Sequence, residues 1–360
     1  MKRKSGVLLA AAILLLGVTF IACKGREAST GGGGVAARTG PVDPSKLKVA
    51  VALGWMANES GWSLKAGHQD GLAAIGVPES NIAYFDANYD PVLQSQQIES
   101  IIESKPDILF LVPANADGLS EAVHHALEAG IPVFTTDGTV NGAQQDVTSQ
   151  ITNDNYGEGG AVMESLIKKI NYKGNVCLIK LDPNPAWKPR SDAAYDVIKK
   201  YPDIKIVGEW SWDPTGVNTP RQAMDGFLAA NPQRDGIQAV WCAWDTAAFE
   251  AIEGCRAAGR TEIIFGGHNG GVEACERIAE GTQFVASISP RFYAQGIWAV
   301  NNALAHLKGE KIEQTIYTPS AVLEYETLSK VQLQPGQDFN LVERPGVAEE
   351  WGITVVQKKP

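Results

Sequence analysis

Residues 108–137 read ILFLVPANADGLSEAVHHALEAGIPVFTTD, and this stretch decides the fold. Ile108–Val112 is an unbroken apolar run of strand length, and Val133–Thr136 is a second, β-branched one. Between them Gly118–Ala129 carries a helical pattern, which Gly130 followed by Ile131-Pro132 brings to a stop. Two buried strands joined through one helix make a right-handed β-α-β unit with parallel strands.

The alternation continues on both sides. Upstream are strands at Lys48–Leu53 and Ile82–Phe85 and helices at Ser63–Ile75 and Pro91–Glu103. Asp90-Pro91 opens the second of these, with proline where its missing donor costs nothing. Downstream, a long helix at Asn155–Ile170 leads a second series. Its strands are Asn175–Lys180, Ile204–Glu209, Ala239–Cys242, Ile263–Gly266 and Phe284–Ile288. Its helices are Ser191–Lys200, Gly216–Ala229, Asp245–Ala258, Val272–Glu280 and Arg291–Leu307. The pattern predicts an α/β protein of two doubly wound halves joined near Thr148–Thr152, with the last helix placed to return to the first half.

The start of the chain is of another kind. Lys2, Arg3 and Lys4 precede an apolar run of roughly 15 residues, short of the roughly 20 that span a bilayer. The run ends at Ala22-Cys23, as a secretory signal does. It resembles the lipobox of bacterial lipoproteins, which implies cleavage after residue 22 and a lipid on Cys23. Phe20 stands where lipoboxes usually carry leucine, and an uncleaved anchor is the alternative. Residues 23–46 are small, polar and glycine-rich, a composition that buries too little surface to fold. They read as a tether. Either way, the folded part is expected outside the cytoplasm.

The net charge of -10 falls to -13 once the three basic residues of the signal leave. Such acidity argues against nucleic acid, whose phosphates demand basic patches. Cys177, Cys242, Cys255 and Cys275 sit in apolar segments and read as buried thiols, with a Cys255–Cys275 bridge as the other option. No metal-ligand spacing, P-loop, GxSxG or HExxH run is present, and His124-His125 are adjacent and cannot both face one site. An enzyme is therefore not expected, nor a cofactor or metal.

Ligands of open parallel sheets bind beyond the carboxyl ends of the strands, and two facing sheets leave a cleft there. Five of the nine tryptophans follow predicted strands: Trp55, Trp62, Trp187, Trp212 and Trp244. Flat indole walls suit the C–H face of a sugar, a nucleobase or a cation. Asn58, Asp137, Arg190, Asp245 and Asn269 stand beside them, supplying the acceptors and donors that hydroxyl groups need. Asp245 also has the position of a helix cap.

These segments resemble the periplasmic sugar-binding proteins of ABC transporters, the ribose- and galactose-binding group related to the LacI ligand domain. The carrying stretches are Asp86-Ala-Asn-Tyr-Asp-Pro91 with Gln94, Gln97 and Ile98, and Pro106 to Asn115. Ala129 to Asp137, Asn153 to Gly157 with Gly159-Gly160, and Arg190 to Pro202 complete them. The resemblance implies a type I binding-protein fold with a multi-strand hinge. Residues 47–152 plus about 290–317 then form the N-terminal lobe, and 153–289 plus about 318–345 the C-terminal lobe. Residues 346–360 are left as a tail. The lobes are expected to close on a small sugar or polyol and hand it to an ABC permease, the protein acting as a monomer. Asn58 and Ser60–Trp62 match first-loop contacts, Asp137 a hydroxyl-accepting aspartate, Arg190 a sugar-binding arginine and Trp212 an aromatic wall. Trp244, Asn269 and Gly138 stand where asparagine, aspartate and arginine are usual, and Pro290 stands near a usual glutamine, which disfavours ribose itself. A nucleoside receptor or a chemosensory binding protein is the alternative. Arg190→Ala is expected to weaken binding and leave apo stability little changed.

Overall fold

The computed structural model describes residues 42–358 apart from 183–186, 214–216, 336, 338 and 345. The signal reading, Cys23 and all but the last few residues of the tether lie outside the described residues. Among the described residues no helix is long and apolar enough to cross a membrane.

The strands are β1 Val49–Leu53, β2 Ile82–Asp86, β3 Ile108–Val112, β4 Val133–Thr136, β5 Ser149–Thr152, β6 Gly174–Lys180 and β7 Ile204–Ser211. They continue as β8 Ala239–Cys242, β9 Ile264–Gly266, β10 Phe284–Ser289, β11 Thr315–Tyr317, β12 Ser320–Glu324 and β13 Val355–Val356. The helices are α1 Glu59–Ala74, α2 Pro91–Ser104, α3 Ser120–Glu128, α4 Asn155–Lys169, α5 Lys188–Ile198 and α6 Pro220–Ala230. After them come α7 Asp245–Ala257, α8 Val272–Ala279, α9 Phe292–Leu307, α10 Tyr325–Leu328 and α11 Val347–Glu350.

Six strands make a first, parallel sheet in the order β11-β5-β4-β3-β1-β2. Every residue of β1 and β3 is buried, as strands covered by helices on both faces must be. Seven strands make the second sheet, β13-β12-β10-β9-β8-β6-β7, with β12 and β13 antiparallel to their neighbours. The backbone passes between the sheets three times, through residues 153–154, 290–291 and 318–319. The first and third passes are laced together: the Thr318 N–H and Oγ1 both donate to the Thr152 carbonyl, at 2.7 and 3.1 Å.

Helix α9 returns to the first sheet and packs on α1. The packing is backbone-close because the contact is made of glycine. A Cβ on Gly296 would lie 2.5 Å from the His68 nitrogen, and one on Gly67 would strike the Tyr293 carbonyl.

The described residues 346–358 do not form a tail. Ala348 and Ile353 are buried in the second lobe, and Val355–Val356 pairs with Ser320–Ala321 at the sheet edge. Their apolar residues are inserted singly from short elements, which leaves no period to read. The four described cysteines are buried free thiols, so no Cys255–Cys275 bridge forms. Burial pushes the Cys177 and Cys255 thiols up to about 12.

Candidate ligand-binding crevice

The carboxyl ends of the two sheets meet in a closed crevice. On the first lobe Trp55 follows β1 and is stacked on Tyr89, with centroids 5.7 Å apart and planes within 4°. Its indole N–H donates to Ser60 Oγ at 3.1 Å, and Ser60 Oγ donates to Asn58 Oδ1 at 2.7 Å. Asn58 Oδ1 also accepts from the Gly61 N–H, capping α1, while its Nδ2 donates to the Tyr89 hydroxyl. Trp187, at the start of α5, crosses from the second lobe and meets Trp55 edge-on at 5.9 Å.

Asp137 follows β4 in the left-handed region, with φ of 60°. Its N–H is shared between the Ile151 carbonyl and Gln295 Oε1, which fixes the residue in place. The side chain is 2% exposed, and among the described residues Oδ1 has no hydrogen-bond partner. Burial raises its pKa to about 7, with Arg190 opposing and Glu158 adding to the shift. Trp55, Asp137, Gly138 and Trp187 line a space of about 10 Å³, about the size of one water.

Arg190, 2% exposed, does not line this space. Its Nε donates to Asn155 Oδ1 at 2.7 Å and Nη1 to the Ala243 carbonyl at 2.9 Å. Nη2 lies 3.6 Å from Glu158 Oε2, an ion pair and not a hydrogen bond. Glu158 is fully buried and accepts from Asn153 Nδ2 and Ser320 Oγ, which stand at the first and third passes between the lobes. The arginine is thus anchored to the hinge. This corrects the expectation that Arg190→Ala spares the apo fold, because the substitution would strand the Glu158 carboxylate.

A second cavity of about 100 Å³ lies between Asn58 and Glu59 of the first lobe and Trp244, Asp245, Asn269 and Glu343 of the second. Asp245 is held by the Ser287 hydroxyl at 2.8 Å and the Gly270 N–H at 2.7 Å, so its carboxylate ties strand β10 to the loop after β9 and does not cap its own helix. Burial raises Asp245 and Glu343 to about 7, against the hydrogen bonds each accepts. Asn269 is fixed by its N–H to the Ile288 carbonyl, at φ of 120°.

Of the expected residues, the structure gathers Asn58, Trp244, Asp245 and Asn269 around one cavity, and Trp55, Asp137 and Trp187 around the other. Trp62 lines neither. It is 57% exposed, because the buried face of α1 runs through Leu64, His68 and Leu72, off which it lies. Trp212 follows the edge strand β7, 37% exposed, and lines neither cavity. Glu59, Glu158 and Glu343 were not foreseen; each acts through a partner distant in sequence.

Residues 49–311 match the model of the periplasmic binding protein domain family. The chain belongs to that family. It is 28% identical to a xylitol-binding protein of Mycolicibacterium smegmatis over 52% of this chain and 53% of that one. It is 30% identical to the D-xylose-binding periplasmic protein of Escherichia coli over 57% of this chain and 62% of that one. The chain therefore spans between half and two thirds of the length of these curated relatives. The ribose import binding protein RbsB of Bacillus subtilis is 24% identical over 78% of this chain and 88% of that one.

Solved structures agree on the fold. An ABC transporter solute-binding protein of Bacillus halodurans with bound myo-inositol superposes with a TM-score of 0.71 at 20% identity, covering 81% of this chain and 98% of that one. One of Agrobacterium vitis bound to α-D-tagatopyranose gives 0.70 at 23%, covering 79% and 97%. The two-lobed α/β fold of a type I binding protein is the fold of this periplasmic binding protein. The family comprises transport solute-binding proteins, not enzymes, and it places the folded chain outside the cytoplasm.

Proposed function

We propose that this periplasmic binding protein captures a small sugar or polyol between its lobes and delivers it to an ABC permease. The observation that carries the reading is Asp137: a buried carboxylate oxygen without a hydrogen-bond partner among the described residues, beside two indoles that reach it from different lobes. A ligand hydroxyl donating to that oxygen would satisfy it, and such a bond contributes about 1.5–3 kcal/mol. The indoles match the apolar face of a sugar ring. Relatives that bind xylitol, xylose and ribose support the same class. Contacts to both lobes would favour the closed arrangement, and the three passes would act as the hinge.

Thermal shift against xylitol, D-xylose, myo-inositol and adenosine tests this, since a ligand raises apparent stability as RT ln(1 + [L]/Kd). A shift with a sugar or polyol and none with adenosine is expected. A shift with adenosine alone would replace the reading by a nucleoside receptor. Anchoring through a lipid on Cys23 belongs to the same proposal, with the protein a monomer. Cys23→Ser should move the protein from the membrane fraction to the soluble one.

A further inference from the structure

We infer that Glu59 is a positioning residue that clasps the lobes together. It stands in the first turn of α1, on the first lobe. Its Oε1 accepts the Val272 N–H at 2.7 Å, across 213 residues of sequence, and Val272 is the first residue of α8 on the second lobe. The first N–H groups of a helix have no partner within it, and a side chain at the cap position normally takes one. Here the cap position of α8 is Gly271, which has no side chain to do so. The first lobe therefore supplies the cap for a helix of the second, and the bond exists only while the lobes meet.

Gly271 gives an independent sign of the same contact. Its φ of -69° and ψ of 179° suit any residue, so the backbone does not require glycine there. A Cβ at that position would collide with the Glu59 carboxylate. The glycine leaves room for the clasp. Asp245 and Glu343 face Glu59 around the same cavity, and its charge adds to the rise in both of their pKa values. Both partners are protein atoms, so the clasp needs the lobes to meet but no atom of a solute. Its role in solute retention rests on the proposed function, through the rule that affinity scales with the fraction in the binding-competent state.

The test is amide exchange of Val272 by NMR on the chain without added solute, in wild type, Glu59→Ala, Glu59→Gln and Gly271→Ala. Wild type should protect this amide, and Glu59→Ala and Gly271→Ala should each speed its exchange about tenfold or more. Glu59→Gln keeps an acceptor oxygen and should fall between. Equal exchange in wild type and Glu59→Ala would overturn the clasp. Binding of xylitol, D-xylose and myo-inositol is measured in parallel on wild type. Glu59-dependent protection with no solute bound keeps the clasp and removes the solute reading. Solute binding without such protection does the reverse.

Discussion

Asp137 shows how a single side chain can be costly to the fold and useful to the site. Its pKa of about 7 lies far above the ordinary 3.8, so between these values the folded chain keeps a proton that the unfolded chain has shed. Stability from this residue is greatest below about pH 4, falls as pH rises through the window, and is flat above about 7. Asp137→Asn should therefore stabilise the solute-free chain at pH 8, by about 1 kcal/mol or more, and change its stability little at about pH 4. Calorimetry of the solute-free variant at both values checks this; an equal effect at the two would contradict it. Arg190→Ala should destabilise by about 3 kcal/mol, because it leaves Glu158 buried without its ion pair. A urea titration showing no loss would contradict that. Asp137 was legible in the sequence because a strand end locates it. Glu158 and Glu343 were not, since they bond to Ser320 and Ser289 across 162 and 54 residues, and only the folded chain brings those together.

At the level of elements, the long strands and helices were readable because each carries its own signal. Val49–Leu53 and Ile108–Val112 are unbroken apolar runs, and Asp90 caps α2 through the Val92 and Leu93 N–H groups. Thr315–Tyr317 and Val355–Val356 gave no such signal. They are two- and three-residue edge strands, half-buried throughout, and pairing with a neighbour defines them instead of pattern. The α1–α9 contact was likewise hidden, since a lone glycine in a helix does not announce what it packs against. Gly296→Ala should cost about 2 kcal/mol, more than the helix propensity gained, because the new methyl meets the α1 backbone. A variant as stable as wild type in thermal unfolding would show that the helices can move apart freely.

For the whole molecule, the segment after β12 ties the second lobe to the hinge. Glu343 accepts from Ser289 Oγ at 2.5 Å and the Tyr293 N–H at 3.0 Å, on either side of the second pass. Arg291, 1% exposed within that pass, pairs with Glu349 at 3.1 Å and donates to the Arg344 carbonyl. Ending the chain after residue 338 would strip Val342, Ala348 and Ile353 from the second core, at about 3 kcal/mol or more. A lowered urea midpoint should report it. These contacts hold both lobes around a crevice that presents the Asp137 carboxylate, its Oδ1 without a hydrogen-bond partner among the described residues, and the Trp55 and Trp187 indoles. Calorimetric titration of xylitol, D-xylose and myo-inositol into wild type and Asp137→Asn tests that arrangement most directly. The account predicts one-to-one binding of at least one of them by the wild type and its loss in the variant. Unchanged binding in Asp137→Asn would contradict it.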